Sequence, residues 1–182
     1  MEKEILRLFG NLIVHDHDIQ FKSYEEFLKI VKEPVDWTYS VWEQLIKALT
    51  HKNAYVRAQA AQILCALAAT SDPEERILED FMKIWAITYD EETVASIQSL
   101  QSIWRIGLAG QVQRDLVVSH LARRFHTCVD EKQLTSIRYE IIVSLKNLFD
   151  KTDDRKLFTI AKNLIEKEQN LKSQLKYKEA LC

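Results

Sequence analysis

The amino-acid sequence predicts an all-α protein of about ten helices, arranged as pairs that stack on one another. Three observations carry this. An apolar stripe of Val56, Ala60, Ile63, Leu64 and Leu67 has the spacing of one helix face. Similar stripes return as Ser96, Leu100, Ile103, Trp104 and Gly107, and as Ile137, Ile141, Ser144, Leu145 and Leu148, at offsets of 40 and 41 residues. A period of that size fits a two-helix repeat. The third observation is that 182 residues contain only 3 Gly and 2 Pro, too few for the turns of a strand-rich fold.

The elements follow in order. Helices are expected over 2–14, 24–32, 37–50, 54–69, 73–88, 91–107, 111–128, 131–149, 153–168 and 169–179. Ser23 and Glu26 have the spacing of a capping box, in which each side chain satisfies an orphan amide of the first turn. Asn53 suits the cap of the helix that carries Arg57. In Asp72-Pro73-Glu74-Glu75, Asp72 can cap, Pro73 suits the first helical position, and the acids face the positive end of the helix dipole. Asp90-Glu91-Glu92 and Asp130-Glu131 repeat that acidic start, and Gly107 and Gly110 mark a stop. From residue 37 the helices pair, and the first member of each pair has its own stripe: Val41, Leu45, Ala48 and Leu49; Ile77, Phe81, Ile84 and Trp85; Leu116, Val117, Leu121 and Phe125. One domain over 1–182 is expected, with its clearest repeats at 37–70, 73–108 and 111–149 and degenerate capping units at 1–36 and 151–182.

Composition excludes several function classes. A net charge of -2 gives no global attraction to nucleic acid or to a membrane surface. No apolar run approaches the roughly 20 residues of a membrane span. The N-terminus lacks the basic-then-apolar pattern of a secretory signal, so a cytoplasmic location is expected. Cys65, Cys128 and Cys182 have neither disulfide nor zinc spacing, and Cys65 reads as a small buried hydrophobe. Three isolated glycines cannot build a phosphate loop, and no nucleophile elbow or His-Glu-x-x-His motif is present. No cofactor is expected.

The segment from His51 to Leu67 resembles the turn, Val-Arg pair, small residues and Leu of HEAT repeats, in the small bacterial armadillo-like alpha-solenoid proteins. Ile137-Arg138 through Leu148 is a looser match, and the middle unit departs, with Ser96 and Ile97 at the Val-Arg position. The resemblance implies a right-handed superhelix, a HEAT-like solenoid, whose second helices line a concave face used to bind partners. It implies a structural role for Arg57 and Arg138, each bonded to loop carbonyls within the stack, so that losing Arg57 costs stability rather than binding.

Candidate site residues come from charge and from aromatics. Eight acids against two bases between Ser71 and Glu92 give a balance of -6, and seven bases against four acids between Arg105 and Phe149 give +3. The contact residues proposed on that basis are Arg105, His120, Arg123, Arg124 and Arg138. His15-Asp16-His17-Asp18 is rich in ligand types, but its two His lie at i and i+2, and no second cluster completes a metal site. Trp85 and Trp104 fall on core stripes, whereas Trp37 and Tyr39 start a helix and are freer. The leading expectation is a non-enzymatic module or scaffold that binds a protein or peptide. The alternative is nucleic-acid binding, in the manner of HEAT-like glycosylases for alkylated bases. A third, a HEAT-like lyase or accessory subunit acting on a tetrapyrrole-bearing partner, has no residue pattern in its favour.

Overall fold

The computed structural model describes residues 2–14 and 16–182. Among them the chain forms ten α-helices, one 3-10 turn and no strand. The helices are α1 (Glu2–Leu12), α2 (His17–Ile30), α3 (Thr38–Ala48), α4 (Ala54–Thr70), α5 (Arg76–Ile87), α6 (Thr93–Ile103), α7 (Gln111–Thr127), α8 (Leu134–Thr152), α9 (Arg155–Glu166) and α10 (Leu171–Leu181). The chain clusters into two compact units, Met1–Ser99 and Leu100–Cys182. The division falls inside α6 rather than in a linker.

In the first unit α1 packs on α2 and α3 on α4. The first helices also touch each other, α1 with α3 and α3 with α5, and so do the second helices, α2 with α4. That is two rows, not a bundle around one centre. The second unit repeats the scheme: α7 pairs with α8 and α9 with α10, while α7 meets α9 and α8 meets α10. Because α4 packs against α2, α3 and α5, it is buried almost all round, and Ile63, Leu64, Cys65 and Leu67 have no exposed surface. Each such branched aliphatic side chain contributes about 1.5–3 kcal/mol on burial.

Several helix starts differ from expectation for identifiable reasons. α2 begins at His17, because the Asp16 carboxylate accepts from the amides of Asp18 at 3.0 Å and Ile19 at 3.1 Å. Ser23 is therefore a buried mid-helix residue and caps nothing. Asp72 does satisfy the start of α5, accepting from the amides of Arg76 (3.0 Å) and Ile77 (2.9 Å). Pro73 to Glu75 stay outside the helix, and Glu75 takes a left-handed φ of 54°. α6 stops at Ile103 and tightens into a 3-10 turn over Trp104–Leu108. Gly107 lies within that turn in a crowded place: a Cβ there would lie 2.9 Å from Leu148 Cδ2 and 3.3 Å from Arg114 Cα.

Candidate partner-binding face

The second helices carry aligned side chains. On α2 and α4, His17 meets Tyr55 edge-on with ring centroids 5.9 Å apart, and Tyr24 Oη donates to Gln62 Oε1 at 2.6 Å. Both contacts join residues 38 apart in sequence, so the repeat period sets the register of the two helices. Gln62 Nε2 then donates to Gln98 Oε1 on α6 at 3.2 Å. Phe21, one helical turn from His17, is 55% exposed, and Tyr55 is 47% exposed. The first unit thus presents a stripe of aromatic and amide groups along its second helices. In the second unit Gln101 Nε2 donates to Glu140 Oε1 at 3.0 Å, and the Lys176 ammonium lies 4.4 Å from the Tyr139 ring centroid.

Partly buried ion pairs link consecutive repeats. Arg57 grips Asp90 with two parallel bonds, Nε to Oδ2 at 2.6 Å and Nη2 to Oδ1 at 2.7 Å. Its Nη1 donates to the carbonyls of His51 (2.7 Å) and Lys52 (3.1 Å). Arg138 repeats the arrangement: Nη1 donates to Glu168 Oε2 at 2.8 Å and Nε to the Phe125 carbonyl at 3.0 Å. Both carboxylates sit before a second helix and also accept a nearby amide, Asp90 from Glu92 and Glu168 from Asn170. The hydrogen bonds from Arg57 hold the Asp90 carboxyl below its ordinary range despite burial, and the same contact raises Arg57.

The five residues proposed for a basic contact patch have different surroundings. Arg123 is exposed on α7. His120, on the same helix, is half-buried with Nδ1 2.8 Å from the Leu116 carbonyl. Arg105 is half-buried in the 3-10 turn, its guanidinium 5.8 Å from the Trp104 ring. Arg124 is completely buried and pairs with Glu131 at 3.1 Å, and the Arg138 side chain is 12% exposed and turned toward Glu168. Only Arg105, His120 and Arg123 therefore offer accessible surface. Position alone hides this: Arg124 follows Arg123 in sequence, but a step of one residue turns a helical side chain about 100°.

His15 lies outside the described residues, and among those residues no group of three His, Cys, Asp or Glu is placed to hold a metal ion. Trp85 is buried, as its stripe suggests. Trp37, expected to be freer, is also buried, edge-on to Phe27. The aromatic pair His17 and Tyr55 was missed because the repeat register was read only from the apolar stripes; the 38-residue offset between them was there to be found.

No protein-family model and no curated protein matches the sequence. Among solved structures, the chain is similar to one in the complex of CpcE and CpcF of phycocyanin lyase from Nostoc sp. PCC7120. The two superpose with a TM-score of 0.67 over 99% of each chain, at 16% sequence identity. The likeness is one of fold: this chain has an all-α, HEAT-like helical-repeat fold. No described helix is long and apolar enough to cross a membrane.

Proposed function

We propose that this chain is a partner-binding module that presents its second helices to another protein. The observation that carries the reading is the stripe on the first unit, where His17, Tyr55, Tyr24, Gln62 and Gln98 align across α2, α4 and α6 at the repeat offset. Aromatic bodies with polar edges suit protein interfaces, since they bury large area at small conformational cost. That a chain of this fold occurs in a complex of two proteins, CpcE and CpcF, supports the reading. To test it, the tagged chain is isolated from its native cells, the retained protein is identified, and both are produced separately and recombined in a calorimeter. A stoichiometric complex is expected, weakened at least about tenfold by Phe21→Asp with Tyr55→Asp, a change of about 1.4 kcal/mol. Undiminished binding by that variant counts against the assignment of this face.

The likeness to a chain of phycocyanin lyase favours a second reading, an accessory lyase subunit acting on a tetrapyrrole-bearing protein. A change in the visible absorption of such a protein on adding this chain would favour it. Nucleic-acid binding has less support, because it drew on basic residues of which Arg124 and Arg138 are engaged in internal ion pairs.

A further inference from the structure

The second unit has a groove of about 610 Å³ where the start of α8 meets α10, lined by Thr135, Asn170, Lys172, Leu175, Lys176 and Glu179, among others. Two rows of α10 bound it. Lys172 and Lys176 form one, at i and i+4; Leu175, 60% exposed, forms the other, and Leu171, 75% exposed, extends that row one turn beyond the lining. The opposite side of α10 is already used: Tyr177 and Leu181 are buried, and Gln174 donates to the Ile165 carbonyl. Among the described residues neither lysine has a carboxylate within ion-pair distance, and Lys176 leans on the Tyr139 ring instead.

Leucines this exposed, beside two cations without carboxylate partners, form an apolar and positive surface that one partner chemistry complements. We propose that this groove docks an acidic amphipathic helical segment of a protein partner, its leucine-type side chain against Leu171 and Leu175 and its carboxylates on Lys172 and Lys176. The inference rests on the partner-binding reading and adds a second contact, on the other compact unit, with a stated charge preference. The groove is a recess where α10 meets the start of α8 rather than a flat face, a shape that suits a helical segment better than a membrane surface.

The test uses a fluorescein-labelled synthetic peptide with leucines four apart flanked by glutamates, and its Glu→Gln counterpart. The full chain is compared with Lys172→Glu/Lys176→Glu and with Leu175→Glu; all three positions are exposed, and circular dichroism confirms that each variant is folded. The expected result is binding of the acidic peptide that weakens as salt rises, falls about tenfold or more in both variants, and is absent for the Gln peptide. Equal binding of both peptides, or binding indifferent to charge reversal, overturns the proposal. So does loss of self-association as the only effect of the variants, which would make a second copy of this chain the occupant, or variant-sensitive binding to phosphatidylserine vesicles alone. The variants also separate the two readings: if the double lysine variant binds the recombined partner as wild type does, the groove assignment fails and the module reading stands.

Discussion

Arg57 and Asp90 show how one residue pair can hold a repeat without forming a binding surface. The guanidinium bridges the carbonyls before its own helix and the carboxylate before the next second helix, so four hydrogen bonds depend on one side chain. Removing one partner of a partly buried, doubly hydrogen-bonded pair leaves the other charge poorly solvated, at a cost of about 2 kcal/mol. Asp90→Asn is therefore expected to lower stability by about that amount at pH 7, measured by urea unfolding. The sign of the pH dependence follows from the lowered carboxyl pKa. Its contribution is complete above the unfolded-state value of about 3.9 and is lost as pH falls through the folded value. The gap between Asp90→Asn and wild type should thus narrow toward pH 3; an equal gap at both pH values would contradict the ion-pair account. The bonds from Arg57 to loop carbonyls were legible, because its neighbours matched a repeat pattern. Its partner was not, since Asp90 reads in sequence only as one more acid at a helix start.

At the scale of elements, the repeat period specified more than the boundaries did. Offsets near 40 residues predicted which helices would be equivalent, and the contacts within each unit follow the two rows that this implies. Starts were misread where a turn residue outranked a helix-favouring one. Asp16 captures the start of α2 ahead of Ser23, and Glu75 in its left-handed conformation delays α5 to Arg76. A cap depends on which amides a side chain can reach, and that geometry is only weakly encoded in composition. The 3-10 turn after α6 has a test of its own. Gly107→Ala places a methyl group against the Arg114 backbone and Leu148, and should destabilise by about 1–3 kcal/mol, whereas Gly10→Ala, with open space around it, should not. Similar unfolding midpoints for the two variants would mean that Gly107 is not held by close packing.

For the whole molecule, the fold was legible, and which charged side chains face solvent was legible only in part. Charge counted along the chain grouped Arg123, Arg124 and Arg138, but Arg124 and Arg138 turn inward to Glu131 and Glu168. Aromatic alignment across second helices depends on register, which one sequence yields only once a repeat offset is applied to every residue type. Duplex DNA offers a simple check on the weaker reading. Fluorescence anisotropy at low salt should show no saturable binding, and a salt-dependent complex would revive it. The central claim, that the second-helix stripe meets a protein partner, is tested most directly by photo-crosslinking in native cells, with benzoyl-phenylalanine placed in turn at Phe21, at Tyr55 and at the exposed Met82 on first helix α5. The account predicts one discrete adduct, the same protein by mass spectrometry, from Phe21 and Tyr55 and none from Met82. Adducts from Met82 alone, or no adduct from either aromatic position, would contradict it.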